Sequence, residues 1–299
     1  MAQLIVNADD FGLTPGVNRA IAELHHAGVV TSASLMARAM ATEEAIQIAL
    51  ATPSLGVGCH VVLVDGEPVL QAGAIPHLVS PRSGVLRSSL ADFLTSLFCN
   101  RNSHDAMVQE IEAEATAQIV YLQSRGVRLT HIDTHKHLHM FPTVLRAVLR
   151  AARAAGINAV RNPFEPIWAL RATRTPSWIR MAEVLALRLL EPACRRIIAK
   201  QRFVTTDGTI AVVGTGDLDA AAVTALLAHL EPGVWELVTH PGYNDADLEK
   251  VRTRLRQSRD IEREALHAVL NFPGIECVSF ANLGGLQTPK SNTAESSQR

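Results

Sequence analysis

The chain has 299 residues, 47% of them apolar and only 4% aromatic, with a formal net charge of −1. That length and apolar content suit one large α/β domain with a core of Ala, Leu, Val and Ile, and the balanced charge gives no basic field for nucleic acid. Four scattered cysteines, Cys59, Cys99, Cys194 and Cys277, form no CxxC pair, which argues against a disulfide framework or a Cys-ligated zinc site and for a reducing compartment.

The first residues carry no signal-peptide pattern, and no apolar run reaches the ~18 residues of a spanning helix, so a soluble cytoplasmic protein is expected. Gln3 to Val6 reads as a strand, and Pro15 to His26 as a helix with proline in its first turn and Gly28 as its stop. Ser32 to Met36 is a second strand, Thr42 to Ala51 a helix, and Gly56 to Val64 a third strand. Asp65 to Ser103 is rich in Gly, Pro and Ser and reads as a long loop holding a short helix. Ala106 to Ser124 is a helix, Arg128 to Asp133 a strand, Thr143 to Ala155 a helix and Ala159 to Arg161 a short strand. Val234 to Thr239 is a late strand, Ala246 to Leu270 a helix and Cys277 to Phe280 a last strand. The alternation is that of parallel βα units. Residues 284–299 are small and polar and read as a disordered tail after one domain spanning 1–283.

The segment from Ile167 to Phe203 breaks the rhythm. It carries Arg171, Arg174, Arg180, Arg188, Arg195, Arg196, Lys200 and Arg202 against Glu183 and Glu191, with Trp168, Trp178 and a Leu-rich stretch. One reading is an inserted helical pair with a solvated basic face. The other is an amphipathic element that lies on a membrane surface or grips an amphiphilic substrate.

Four polar clusters fall at expected strand ends: Asp9-Asp10, Gly58-Cys59-His60, the run HIDTHKHLH with His131, Asp133, His135, His137 and His139, and VTHPGYND with His240. Carboxyl ends of parallel strands open on one face, so these residues can meet. On an extended backbone His135, His137 and His139 would converge; on a helical one they would fan apart. Asp9-Asp10 could instead cap a helix, but the next helix begins several residues later. A divalent ion would relieve the repulsion of the paired carboxylates. One Asp with two imidazoles leaves positions for water and substrate and suits Zn, Ni, Co or Fe better than Mg.

NADDFG, TSASLM, GCH followed by VLV, DTHKHLHMFP, VRNPFEP and HPGY, in this order from about residue 3 to 283, together resemble the YdjC-like carbohydrate deacetylases. VVLVDGEPVL, IPHLV and VRNPFEP most resemble the hopanoid biosynthesis-associated branch, HpnK. The resemblance implies a distorted (β/α) barrel related to the NodB-like polysaccharide deacetylases, and one divalent metal, often magnesium in this family. It implies Asp10, His60 and His135 as metal ligands, Asp9 as catalytic base, and His240 as acid or oxyanion donor. Arg161 could orient Asp9 through a charge-assisted pair. Asp133, His137, His139 and Tyr243 are the candidate substrate contacts. Thr134 and Lys136 stand where the oligosaccharide enzymes have Ser and His.

The expected reaction is hydrolysis of the acetamide of an N-acetylglucosaminyl hopanoid, with a chito-oligosaccharide as the alternative substrate. Expected partners are therefore an amino-sugar or glycolipid substrate, with membrane contact through 167–203 and a homodimer as further expectations. A metallophosphoesterase would need more carboxylates for a two-metal clamp; Asp133, Asp245 and Asp247 are the spare ones. A non-catalytic binding module is disfavoured by the intact Asp9, Asp10, His60 and His135.

Overall fold

The computed structural model describes residues 2–100, 102–173, 178–269 and 274–286. The first strand, β1 (Ala2–Phe11), is longer than Gln3 to Val6 and runs through both aspartates. After it come α1 (Pro15–His26), β2 (Ser32–Leu35), α2 (Thr42–Ala51) and β3 (Gly56–Val61). The Gly- and Pro-rich stretch holds α3 (Leu90–Cys99), and α4 (His104–Ser124) follows. Then come β4 (Ile132–Thr134), a 3-10 stretch over His135–Met140 and α5 (Pro142–Ala154).

The basic segment is not a helical pair but three short helices, α6 (Ile167–Ala172), α7 (Trp178–Leu187) and α8 (Glu191–Lys200), with a 3-10 turn at Arg188–Leu190. The sequence pattern passed over β5 (Gly208–Ile210) and α9 (Ala220–Ala228), which precede β6 (Gly233–Thr239). The expected long helix is two pieces, α10 (Ala246–Glu249) and α11 (Gln257–Ala268). The last strand, β7 (Ile275–Cys277), ends before Phe280, which opens α12 (Phe280–Leu286) into the expected tail. Leu270, Arg174 and the tail from residue 287 onward lie outside the described residues.

All pairings between these strands are parallel, in the order β4-β3-β2-β1-β6-β5. One edge of β1 is shared, with β7 taking Ala2–Leu4 and β2 pairing from Asn7 onward. The sheet curls as a half-barrel. Isolated bridges from Ile132 to Val160 and from Ala159 to Val204 span the gap between β4 and the approach to β5. The expected strand Ala159 to Arg161 is therefore a bridging segment.

Alternation along β1 sorts the interior into layers. Leu4, Val6 and Ala8 join the main core beneath the helices. Ile5, on the other face, packs with Ala159, Val278, Phe280 and Leu283. These residues plug the end of the curled sheet where the strands begin. Above the plug Asn7, Ser34, His131, Asp133, Arg161 and Glu236 are all buried. His131 stacks on Phe280 with ring centroids 3.9 Å apart, so its ring joins the two layers. A Cβ on Gly58 would meet that ring at 2.4 Å, so the GCH stretch needs glycine there.

Candidate metal and hydrolase site

Adjacent residues of a strand normally point to opposite faces. Asp9 and Asp10 do not, because the β1–β2 register shifts between Ala8 and Phe11 and Asp10 takes φ 61°. This left-handed residue is uncommon outside glycine, and Asp tolerates it better than most. Both carboxylates consequently reach the space in front of His60. Neither caps a helix: Thr14 accepts the Val17 N–H at the start of α1.

Asp10 Oδ1 lies 3.6 Å from His60 Nε2 and 3.3 Å from His135 Nδ1, and the two ring nitrogens are 3.3 Å apart. These three atoms form one of two His/carboxylate groups among the described residues that are compact enough to hold a metal ion. The other, Asp9, His60 and Asp133, is already satisfied by a guanidinium. Asp10 Oδ1 is buried and accepts no hydrogen bond. A buried carboxylate oxygen without a partner is costly, and a cation between it and the two imidazoles would satisfy it. The Asp-His-His donor set fits one divalent ion with open positions.

His60 is oriented from behind. Its Nδ1 donates to Asp133 Oδ1 at 2.7 Å, which turns the Nε2 lone pair toward Asp10. Asp133 Oδ2 accepts from Ser34 Oγ at 2.6 Å and forms an ion pair with Arg161, whose Nη1 lies 2.8 Å away. Asp133, expected as a substrate contact, is thus wholly buried beneath His60. Burial alone would lower the His60 pKa, but the Asp133 and Asp9 carboxylates push it up to about 9 in the metal-free protein.

Arg161 is fully buried and is the hub of the polar layer. It grips Asp9 at both oxygens, at 2.9 Å and 2.6 Å, and its Nε donates to Glu236 Oε1 at 2.7 Å. Asn7 Nδ2 also donates to Asp9 Oδ1 at 2.9 Å. Burial would raise the Asp9 and Asp133 pKa values, yet Arg161 holds both below the usual carboxylate range. Glu236 is affected differently: burial outweighs Arg161 and pushes it up to about 7.

From the other side α11 supplies Arg259 and Glu262. Arg259 Nη2 donates to Asp10 Oδ2 at 2.5 Å and, against the upward push of burial, keeps that carboxyl well below its ordinary pKa. Glu262 Oε2 accepts the His240 backbone N–H at 2.6 Å. His240 follows β6, with Nε2 3.9 Å from Asp9 Oδ2 and Nδ1 3.9 Å from Glu262 Oε2.

The three alternate histidines do not converge. Lys136 and His137 adopt left-handed backbone within the 3-10 stretch, so the extended alternative fails. His135 joins the ligand group, while His139 turns its Nδ1 to Thr134 Oγ1 at 2.7 Å. His137 is half-buried with an unpartnered Nδ1, and burial lowers its pKa to about 3. Tyr243 lies between α1 and α11: its OH donates to Glu23, and its ring is sandwiched by Arg19 at 3.7 Å and Arg263 at 4.3 Å.

Sequence reasoning missed Glu236, Arg259, Glu262 and Ser34. A lone acid inside the apolar run VWELV was a usable signal for Glu236. Arg259 and Glu262 gave none, because charged residues three apart on a helix read as a solvated face.

The model of the YdjC-like protein family matches residues 3–273. A protein of Brevibacillus brevis named carbohydrate deacetylase is 43% identical over 162 residues, 54% of this chain and 60% of the relative. One of Halalkalibacterium halodurans with the same name is 37% identical over 164 residues, 54% of this chain and 65% of its own. These two alignments thus span less than two thirds of the relatives' lengths. A third of that name, from Thermoanaerobacter pseudethanolicus, is 29% identical over 266 residues, covering 89% of this chain and 91% of the relative. Among solved structures, an Enterococcus faecalis V583 protein named for cellobiose-phosphate cleavage superposes with TM-score 0.66 at 26% identity, covering 94% of this chain and 98% of that one. With its family model spanning most of the chain, and the acid pair and histidines of its motifs gathered at one end of a curled parallel sheet, this chain belongs to the YdjC-like protein family.

Proposed function

We propose that this chain is a carbohydrate N-deacetylase that hydrolyses the acetamide of an amino-sugar conjugate, with one divalent metal held by Asp10, His60 and His135. The observation that carries the reading is Asp10 Oδ1, buried without a hydrogen bond and facing two imidazole nitrogens. The deacetylase names of the family relatives support the reaction class. A NodB-like barrel over residues 1–283 is the architecture this reading assumes.

When bound, the metal supplies Lewis acidity, toward water and toward the acetyl carbonyl. Asp9 is the base. Arg161 keeps it ionised and fixes its orientation, and its Oδ2 faces the side where His240 stands. Asp9 takes one proton as water adds to the acetyl carbon. His240 donates a proton to the amine nitrogen as the C–N bond breaks, giving acetate and a free amino sugar. Glu262 holds the His240 backbone in place for that transfer.

For the substrate we favour an N-acetylglucosaminyl hopanoid, on the likeness of VVLVDGEPVL, IPHLV and VRNPFEP to the hopanoid-associated branch. The donor set favours zinc or another nitrogen-binding transition ion over magnesium. The test is acetate release, with added metal and with chelator, from that glycolipid and from diacetylchitobiose in parallel. Release from the glycolipid alone is the expected result. Release from chitobiose alone keeps the reaction and overturns the substrate. Release from neither, with metal bound, overturns the reaction class.

A further inference from the structure

Helix α7 is amphipathic the wrong way round for a solvent-facing helix. Trp178, Leu185 and Leu189 are 79%, 47% and 82% exposed, and Ile179 is 52% exposed. Positions 178, 182, 185 and 189 fall in one stripe at helical spacing, and Ala182 is exposed with the others. The opposite side is settled: Val184 and Met181 pack with Leu170 and Val213, and Arg180 Nη1 donates to the Thr215 carbonyl at 2.5 Å. Glu183 is the sole acid of the helix and Glu191 the sole acid elsewhere in 167–203, against eight Lys and Arg, in a chain whose net charge is −1. An exposed apolar stripe with an aromatic end on a strongly basic element is the pattern of a helix that lies in a membrane interface. No described helix is long and apolar enough to cross a membrane.

We infer that α7 and the Arg188–Leu190 turn dock this protein on an anionic lipid surface, inserting Trp178, Ile179, Leu185 and Leu189 among the acyl chains while the exposed bases of the segment, Arg171, Arg196 and Lys200, meet headgroups. A second copy fits less well, because a two-fold contact would bring the basic segment against itself. Arg180, on the inner side of the helix, is bonded to the carbonyl of Thr215 in the loop after β5, the strand that pairs with β6, which ends just before His240. The inference deepens the lipid-linked substrate reading, but it is tested without turnover.

The experiment is co-sedimentation of the full chain with phosphatidylcholine vesicles, with and without phosphatidylglycerol, at low and high salt. Binding is expected only to the anionic vesicles, weakening about tenfold or more at high salt. The variant Trp178→Ser/Leu185→Ser/Leu189→Ser should lose binding by about tenfold or more. These side chains are exposed, so its melting temperature and its acetate release from the detergent-dispersed glycolipid should be kept. Equal binding by the variant, or no binding by the unmodified chain, overturns the inference. So does a variant that turns a vesicle-free dimer into a monomer, since a second copy would then cover the stripe. Failure of the deacetylase reading alone would remove acetate release and leave vesicle binding intact.

Discussion

Arg259 Nη2 donates to Asp10 Oδ2 at 2.5 Å and leaves Oδ1 of the same carboxylate without a hydrogen bond, facing the His60 and His135 rings. The guanidinium thus divides Asp10 into an anchored oxygen and a free one, and it keeps the group ionised inside a buried site. Replacing it with Met removes one partner of a buried ion pair. Such losses cost about 3–5 kcal/mol when the remaining charge stays buried. Arg259→Met should therefore lower the metal-free unfolding free energy in urea by roughly that amount. Asp10 would also take up protons more readily, so metal titrations should become more pH-dependent on the acid side, as calorimetry would show. An unchanged pH dependence would mean that Arg259 does not control the ligand's ionisation.

The ligand assignment separates Asp10, His60 and His135 from Asp9. His60→Ala and His135→Ala each remove a donor from a three-residue set and should weaken metal binding by about 100-fold or more, beyond the 10–100-fold of losing an outer partner. Asp133→Asn, which leaves all three ligands in place but removes the carboxylate behind His60 and its charge against Arg161, should fall within that smaller range. Asp9→Asn should keep the metal and lose turnover. Elemental analysis of each purified variant, beside acetate release, gives the pattern. Full metal content in His60→Ala would remove that residue from the ligands.

The metal-free protein should lose stability as the solution becomes alkaline. The folded pKa of His60 is raised from 6.5 to about 9. The stabilisation from its protonated form is complete below the unfolded pKa and disappears as pH rises through about 9. Its full size is on the order of 3 kcal/mol. Glu165 and Glu236, pushed up to about 7 by burial, finish titrating lower. Above about pH 7.5 the fall therefore belongs to His60 and, toward pH 9, to the thiols of Cys59, Cys194 and Cys277, which burial pushes up and which ionise more readily unfolded. Metal-free melting temperature should fall through that range and His60→Gln should lessen the fall; the difference between the unmodified chain and His60→Gln isolates the histidine. Metal uptake must expel the same proton, so affinity should rise about tenfold per pH unit up to pH 9.

The strand and helix alternation, the gathering of acids and histidines at strand ends and the Arg161–Asp9 pair were legible in the sequence because each follows from a local rule: apolar period, residue type at a strand end, opposite charge; the choice of Asp10, His60 and His135 among those residues rested on the family resemblance. The missed features depend on tertiary placement. β5 has three residues and no apolar run of its own; pairing with β6 makes it a strand. Asp10 reaches the same space as Asp9 through a register shift and one left-handed residue, which no alternation pattern encodes. Arg259 and Glu262 become part of the site when α11 packs across the strand ends. The three histidines after Thr134 looked equivalent, and two left-handed residues sent only His135 to the ligand group.

Arg161 gives the sharpest test of the polar layer. It has no solvent exposure and meets Asp9, Asp133 and Glu236 at 2.6 to 2.8 Å. Arg161→Met would leave three carboxyl groups facing one another in a buried space, and should destabilise the protein by at least about 3–5 kcal/mol. Arg161→Lys keeps the charge but loses the planar fork that meets several acceptors at once. That variant should fold, hold metal near normally through the untouched Asp10, His60 and His135, and yet lose roughly 10–100-fold in kcat. Its Asp9 carboxylate would be less firmly aimed and would titrate at a higher pH, because Arg161 now holds that pKa down. The acidic limb of the pH–rate profile should accordingly move upward in Arg161→Lys. A profile unmoved, with kcat reduced, would assign Arg161 to folding alone and leave the ionisation of Asp9 to its other neighbours.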